Sequence, residues 1–200
     1  MAALFLARCF STPVNVHVGV PAWGNYKPTF ALVGLQLIEY QHYNSSARAF
    51  DHDSTMQSIR DAPAGSVFVL QGCCHNPTAA DPTPCQWDQI VEALQAGRHI
   101  PLFDLAYQGL GRGPEEDAYA VRLCAQRGLE TIVCQSFSKN FGLYGERCGA
   151  LHVVCRDGQA AANVHDQLRC LIRWEISSSP AYGSRLVKIV LADKNLSAKW

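Results

Sequence analysis

The sequence contains no apolar run of the roughly 18 residues that a membrane-spanning helix requires. Lysine plus arginine and aspartate plus glutamate number 17 each, so the formal net charge is zero and no basic stripe indicates a nucleic-acid surface. No Cys-x-x-Cys pair occurs, and Cys73, Cys74 and His75 are adjacent rather than spaced like zinc ligands. The sequence therefore predicts no metal site, no nucleic-acid partner and no membrane association.

What the chain does contain is the composition of a globular protein. Its 200 residues, 48% hydrophobic and 17% charged, are enough for one domain with a hydrophobic core. The nine cysteines are interpreted as reduced, small core residues in a reducing compartment. The opening "MAALFLARCFSTP" is compatible with a short transit peptide or with a helix that packs on the domain, and we favour the helix.

Six β-rich runs alternate with helix-like segments, which predicts an α/β fold with a mostly parallel sheet covered by helices on both faces. The predicted strands are Val14–Val18, Leu35–Tyr40, Ser66–Gln71, His99–Asp104, Glu130–Gln135 and Ala150–Cys155.

Helix signals separate several of these runs. Thr83, Pro84 and Gln86 form a capping box with proline at the first position, which predicts a helix from Thr83 to Gln95. A second helix is predicted from about residue 113 to residue 128, because acids occupy its first turn and a glycine follows it. A third is predicted from Ala181 onward, with Val187, Val190 and Leu191 as its apolar stripe.

Polar residues follow three of the predicted strands. Asn76 lies in the segment after Gln71, Asp104 and Tyr107 lie in "PLFDLAYQG", and Ser136 comes just before Lys139. Ligands of parallel α/β sheets bind at the carboxyl ends of the strands. The sequence therefore predicts a site at this edge of the sheet.

Lys139 is the only charged residue between Thr131 and Leu143, which indicates a lysine held in a pocket. Ser136 and Lys139 fit the Ser-x-x-Lys motif of serine acyl-enzymes, but the Ser-Asp-Asn and Lys-Thr-Gly triplets that accompany it are absent. An imine-forming lysine of a pyridoxal phosphate site explains more residues, because such a site also needs an acid for the ring nitrogen. Asp104 at the end of an apolar run supplies that acid.

These stretches resemble the aspartate aminotransferases, within the class I aminotransferase family of fold type I pyridoxal phosphate enzymes. The similarity runs along nearly the whole chain, through "VGVPAWGNY", "HNPTAADPTPCQW", "FDLAYQGLGRG", "QSFSKNFGLYGERCGALHVV" and "LIRWEISSSPAYGSRLV". The resemblance implies a transaminase that moves an amino group between aspartate and 2-oxoglutarate, with pyridoxal 5'-phosphate as cofactor.

The resemblance also implies roles for individual residues. Lys139 would form the internal aldimine and move the proton, and Asp104 would keep the ring nitrogen protonated. Tyr107 and Asn76 would contact the ring hydroxyl oxygen. The implied catalytic residues are Lys139, Asp104 and Tyr107, and the implied cofactor-binding residues are Trp23, Asn76, Asp104, Tyr107, Ser136, Lys139 and Arg147.

The implied substrate-binding residues are Trp23, Asn76 and Arg173. Arg173 would reach across a homodimer and bind the side-chain carboxylate of a dicarboxylic substrate. Each assignment has an ordinary structural alternative. Arg147 could pair with Glu146 or Asp157, Asn76 could belong to a turn, and Arg173 could favour the helix dipole.

By the same resemblance, the chain corresponds to the central part of such an enzyme, truncated at both ends. Residues 1–175 would form part of the large pyridoxal phosphate domain, and residues 176–200 the start of the connection to a small domain. The glycine-rich phosphate turn, a tyrosine from the partner subunit and the arginine for the substrate α-carboxylate are not matched. We therefore expect inefficient transamination by the chain alone, and the alternative function is an impaired homologue that keeps the fold and binds cofactor or a partner.

Some positions depart from the family pattern. Tyr26 and Gln71 stand where histidines are common behind the essential aspartate, and Ala79 replaces a glycine. Leu105 and Cys148 replace a serine and a valine. A changed environment of the aspartate would alter the basicity of the ring nitrogen. The expected location is cytoplasmic, with the mitochondrion as the alternative.

Overall fold

The computed structural model describes residues 1–10 and 14–200, and it contains the predicted mostly parallel sheet. The strands are β1 (Val16–Val20), β2 (Leu37–Gln41), β3 (Tyr43–Asn44), β4 (Ala49–Phe50), β5 (Val67–Gln71), β6 (Ile100–Leu105), β7 (Thr131–Ser136) and β8 (Gly149–Val154). The helices are α1 (Ala2–Cys9), α2 (Tyr26–Ala31), α3 (His52–Asp61), α4 (Pro84–Ala96), α5 (Tyr119–Gln126), α6 (Gly158–Ile176), α7 (Tyr182–Ala192) and α8 (Lys194–Lys199).

The main sheet has six strands in the order β2-β1-β5-β6-β7-β8. All neighbours are parallel except β8, which pairs antiparallel with β7. The six predicted strands are confirmed, each within two residues of its observed bounds. The short strands β3 and β4 form a separate hairpin that the sequence analysis did not identify.

Alternating side chains of the central strands build a core on each face of the sheet. On β5, Phe68 and Leu70 join the cluster that α3, α4 and α5 cover. Val67 and Val69 join the opposite cluster, which α1, α2 and α6 cover. Both faces of β5 are therefore buried, as expected for a central parallel strand. Among the described residues, no helix is long and apolar enough to cross a membrane.

Two helix predictions are confirmed, those for α4 and for the opening segment. Helix α4 begins with the predicted capping box, in which the Thr83 hydroxyl accepts from the Gln86 backbone N–H and the Gln86 side chain accepts in return. Helix α1 packs Phe5 and Leu6 into the core, as expected if the opening segment is a helix. Residues 11–13 of that segment lie outside the described residues.

The predicted helix over residues 113–128 is wrong in its first part, because α5 begins only at Tyr119. The acidic residue Asp117 does not cap a helix. Its carboxylate instead accepts hydrogen bonds from the preceding loop, from the backbone N–H groups of Gly109, Gly111 and Arg112. Gly113 has a φ of +136°, which ordinary side chains rarely adopt and which interrupts a helix.

The predicted tail helix is confirmed as α7, but its apolar stripe is only partly buried. Val187 lies in the interior and Val190 is half-buried, whereas Leu191 is 46% exposed. Leu191 therefore belongs to the apolar stripe without being buried in this chain.

Candidate functional site

The carboxyl ends of β5, β6 and β7 bring the predicted polar residues to one edge of the sheet. The strand register places Gln71 of β5 beside Asp104 of β6, and Asp104 beside Cys134 of β7. The loops that follow these strands carry Asn76, Tyr107 and Lys139. Parallel pairing thus assembles, at the expected edge, residues that are widely separated in the sequence.

Asp104 is the acid at the centre of this edge. Its Oδ2 accepts a hydrogen bond of 2.6 Å from the hydroxyl of Tyr26, which lies at the start of α2. Burial raises the pKa of Asp104, while the Tyr26 hydrogen bond and the positive charge of Lys139 act in the opposite direction. Among residues 1–10 and 14–200, no side chain donates to Oδ1, and Asp104 lines an open cleft.

The raised pKa of Asp104 gives a testable pH dependence of stability. Relative to its usual value of 3.8, the folded chain binds the Asp104 proton more tightly than the unfolded chain does. This contribution is present below that value and is lost as the pH rises through the folded pKa. In cofactor-free protein we therefore expect Asp104→Asn to raise the melting temperature at neutral pH by a few degrees.

The measurement is thermal unfolding of both proteins between pH 4 and pH 8, where the two melting temperatures should diverge as the pH rises. Asp53→Asn, which changes a fully exposed aspartate in the first turn of α3, is the control for loss of a carboxylate and should show no gain in melting temperature as the pH rises. A less stable Asp104→Asn protein at neutral pH would contradict the expected sign.

Lys139, Tyr107 and Asn76 form a connected group beside Asp104. The Nζ of Lys139 lies 5.4 Å from the centroid of the Tyr107 ring, and the Asn76 Nδ2 donates to the Tyr107 hydroxyl at 3.3 Å. Cationic nitrogen over an aromatic ring is a favourable arrangement. These contacts place an amine, a phenol and an amide close together.

The side chain of Gln71 does not contact Asp104, although the sequence analysis placed Gln71 and Tyr26 together behind that aspartate. The Gln71 side chain instead holds Asn76, since Nε2 donates to the Asn76 carbonyl at 3.1 Å and Oε1 accepts from the Asn76 N–H at 2.8 Å. Tyr26 alone of the two contacts the Asp104 side chain. Gln71 therefore positions Asn76 and not Asp104.

Ser136 and Arg147 lie at the other end of the site. Ser136 ends β7, where it pairs with Gly149, and its hydroxyl accepts from the Ser138 N–H at 3.2 Å. Arg147 is exposed, has a φ of +51° and donates to the Tyr144 carbonyl at 2.8 Å. The alternative of an ion pair with Asp157 is not what the structure shows, because Asp157 pairs with Arg156.

One open cleft of about 1050 Å³ connects several predicted residues. Asp104, Ser136, Arg147 and Arg173 all line it. Arg173 lies in the last turn of α6 and donates to the Ser177 hydroxyl at 2.7 Å. The cleft therefore has three arginines, several serines and one acid on its walls, which suits a ligand with more than one anionic group.

Trp23 does not line this cleft but is linked to it through Tyr26. The two rings meet edge to face, with centroids 5.4 Å apart and an interplanar angle of 84°. Trp23 is 42% exposed, so part of its surface is free for a ligand ring. Trp23 thus packs against Tyr26, the residue whose hydroxyl donates to Asp104.

These donors fit pyridoxal 5'-phosphate. The free Oδ1 of a half-buried carboxylate suits a protonated ring nitrogen, because a desolvated carboxylate requires a cationic partner. Ser136 and Arg147 offer a hydroxyl and a guanidinium to a phosphate. Lys139 forms no ion pair within the described part of the chain, so its amine is available for an aldehyde.

A second cluster contains metal-ligand atoms but is already occupied by loop contacts. The sulfurs of Cys73 and Cys74 and a carboxylate oxygen of Asp117 lie within 4.8 Å of one another. Asp117, however, accepts the three backbone hydrogen bonds described above. Burial raises the pKa of both thiols, and the negative charge of Asp117 raises it further. Neither thiol therefore readily becomes the thiolate that binds metals.

The sequence analysis missed one residue that shapes the site. Asp81 accepts from the backbone N–H of Cys74 at 2.6 Å and of His75 at 2.8 Å, and so fixes the loop that leads to Asn76. The Asp81-Pro82 pair is a signal for a turn. No local signal shows that the carboxylate reaches back to Cys74 and His75.

Comparisons with known proteins agree with this geometry. A family model described as aminotransferase class I and II matches residues 2–200. Aminotransferase tasG of Hapsidospora irregularis is 59% identical over 194 residues, 96% of this chain and 60% of that protein. The chloroplastic aspartate aminotransferase of Arabidopsis thaliana is 42% identical over 201 residues, 100% of this chain and 44% of that protein.

The crystal structure of an aromatic-amino-acid aminotransferase from Burkholderia pseudomallei, covalently bound to pyridoxal phosphate, superposes with a TM-score of 0.96. That chain is 38% identical, and the match covers 100% of this chain and 50% of that one. The chain therefore spans about half the length of the relatives that it matches.

Proposed function

The chain belongs to the class I and II aminotransferase family, and from this premise we propose that it serves amino-group transfer between aspartate and 2-oxoglutarate with pyridoxal 5'-phosphate as cofactor. The observation that carries the proposal is the half-buried Asp104, whose Oδ1 is free while Lys139 and Arg147 supply an amine and a phosphate cation. When bound, the cofactor supplies an aldehyde for the substrate amine and a ring that accepts electrons released at the substrate Cα.

The residues of the chain have distinct tasks in this proposal. Asp104 would hold a proton on the ring nitrogen through its carboxylate charge, and Lys139 would bind the aldehyde and move a proton to and from the substrate Cα. Tyr107 and Asn76, joined at 3.3 Å, would contact the ring hydroxyl oxygen. Ser136 and Arg147 would bind the phosphate, and Trp23 would cover one face of the ring.

The choice of substrate rests on Arg173, a residue that lines the cleft. A guanidinium can bind a carboxylate through two parallel N–H groups. We propose that it selects dicarboxylic substrates, and that it does so across a homodimer. The named relatives include both aspartate and aromatic-amino-acid aminotransferases. The preference for aspartate and the predicted cytoplasmic location are accordingly proposals for this chain.

Arg173→Asp tests the substrate assignment. In the full-length protein we expect kcat/KM for aspartate to fall about 10- to 100-fold, because a charge-assisted pair contributes roughly 1.5–3 kcal/mol. Activity toward lysine or arginine should rise, since the new carboxylate attracts a cationic side chain. Steady-state kinetics with aspartate, phenylalanine and lysine measure the change.

Arg185→Ala, which removes another exposed arginine from the neighbouring helix α7, serves as the control and should leave all three values unchanged. Equal losses for aspartate and phenylalanine in Arg173→Asp would show that Arg173 supports the scaffold. High activity toward phenylalanine in the unsubstituted protein would favour an aromatic substrate instead.

A further inference from the structure

The Tyr26 hydroxyl contacts Asp104 directly. Within residues 1–10 and 14–200 it is the one side-chain donor to the Asp104 carboxylate, and the 2.6 Å distance is that of a strong hydrogen bond to an anion. Tyr26 itself is buried at the start of α2. The contact joins two elements that are 78 residues apart in the sequence.

A phenol suits this position because it remains a neutral donor. Burial raises the pKa of Tyr26, and the negative charge of Asp104 raises it further, so the hydroxyl keeps its proton throughout the physiological range. Donation to Oδ2 stabilises the ionised carboxylate against the cost of its burial. The bond also restrains the rotation of the carboxylate, whose other oxygen, Oδ1, accepts from no side chain among the described residues.

The ring of the same tyrosine contacts Trp23. The edge-to-face geometry, with centroids at 5.4 Å, is a favourable arrangement for two aromatic side chains. Tyr26 therefore touches the residue proposed to hold the ring nitrogen and the residue proposed to cover the ring face. No second described aromatic ring contacts Trp23 in this way.

We propose that Tyr26 is a positioning residue that sets the orientation of both Asp104 and Trp23, so that one side chain couples the ring-nitrogen contact to the ring-face contact. The link to the cofactor rests on the proposed function, whereas the link between Tyr26 and Asp104 does not. Tyr26 acts through these two neighbours and has no reacting atom of its own.

The other groups that act on Asp104 are known from its surroundings. The positive charge of Lys139 lowers the pKa of Asp104. The Asp104 carboxylate in turn raises the pKa of Cys134, its neighbour on β7. Tyr107 is close enough to influence Tyr26. None of these groups changes when the Tyr26 hydroxyl alone is removed, so the hydroxyl can be tested separately.

The first test measures the pKa of Asp104 by carboxyl ¹³C NMR in the cofactor-free 200-residue chain. Tyr26→Phe keeps the ring against Trp23 and removes the donor, and we expect the Asp104 pKa to rise by about one unit. Tyr40→Phe removes a hydroxyl from another buried tyrosine, one that does not contact Asp104, and should leave that pKa unchanged.

Fluorinated tyrosines at position 26 provide a version of the test that does not depend on the folding of Tyr26→Phe. A more acidic phenol is a stronger donor, so the Asp104 pKa should fall along the series. An Asp104 pKa that stays the same in Tyr26→Phe and along this series would overturn the proposal.

The second test measures cofactor affinity by absorbance titration with pyridoxal phosphate and with an analogue that has carbon in place of the ring nitrogen. Tyr26→Phe should weaken binding of pyridoxal phosphate about tenfold and should leave binding of the analogue unchanged. Tyr26→Leu, which also removes the contact with Trp23, should weaken binding of both.

The outcomes separate the two proposals. A shifted Asp104 pKa with no binding of pyridoxal phosphate by any form would overturn the proposed function and the coupling to the cofactor, but not the effect of Tyr26 on Asp104. Equal weakening of both ligands in Tyr26→Phe would contradict a role through the ring nitrogen.

Discussion

Borohydride reduction of the chain in the presence of pyridoxal phosphate is expected to place a stable phosphopyridoxyl label on Lys139 and on no other lysine. The Nζ of Lys139 lies over the Tyr107 ring and beside Asp104, and it has no ion-pair partner among the described residues. Aldehydes react with an amine that is free and suitably placed. Peptide mapping by mass spectrometry identifies the labelled residue.

Lys139→Ala should remove this label and reduce turnover in the full-length protein by at least about 10⁴-fold, because both the covalent attachment and the proton transfer depend on that amine. Lys188→Ala, which changes an exposed lysine of α7, is the matched control and should retain label and turnover. A label that maps to Lys188 or Lys194 in the unsubstituted chain would refute the assignment of Lys139.

Asp104→Ala is expected to lower turnover in the full-length protein by at least about 10³-fold, the order of loss seen when a preorganised electrostatic partner is removed from an active site. Without the carboxylate, no described side chain offers a negative charge to the ring nitrogen from this edge of the sheet. The variant could then no longer hold a proton on the ring nitrogen, and a bound cofactor would accept electrons from the substrate Cα less readily. Single-turnover kinetics with aspartate measure this step directly.

Asp104→Asn separates charge from shape in this experiment. Asparagine keeps the size of the side chain and an oxygen that can accept from Tyr26. If the charge is what matters, the asparagine protein should be nearly as slow as the alanine protein, although it is expected to be the more stable of the two without cofactor. Turnover near that of the unsubstituted protein in either variant would show that Asp104 is not the partner of the ring nitrogen.

The sheet was predictable, because its strands depend on local patterns, and so was the edge of the sheet at which polar residues gather. The β-rich runs mark the strands to within two residues, and the ends of those strands mark the edge where Asp104 and Lys139 meet. The capping box of α4 is likewise a signal contained in four consecutive residues, Thr83 to Gln86. Such signals survive folding because they are satisfied within one element.

The errors have a common physical origin in contacts between distant elements. Glu115 and Glu116 look like first-turn acids of a helix. The neighbouring Asp117, however, binds three backbone N–H groups of the preceding loop, and α5 begins only at Tyr119. Gln71 and Tyr26 looked equivalent in the sequence. In the structure, however, Gln71 hydrogen-bonds Asn76 and Tyr26 hydrogen-bonds Asp104. Period and spacing do not reveal which partner a polar side chain will meet.

The two-point clamp between Gln71 and Asn76 has a consequence for the thermodynamics of ligand binding. Because Gln71 both donates to and accepts from the Asn76 backbone, the intervening residues 72–75 are closed into a small ring in the free protein. The conformational entropy of that loop is therefore lost when the chain folds, and not when a ligand arrives. A ligand that contacts Asn76 meets an amide already held in place, so its binding free energy is not reduced by the ordering of this loop.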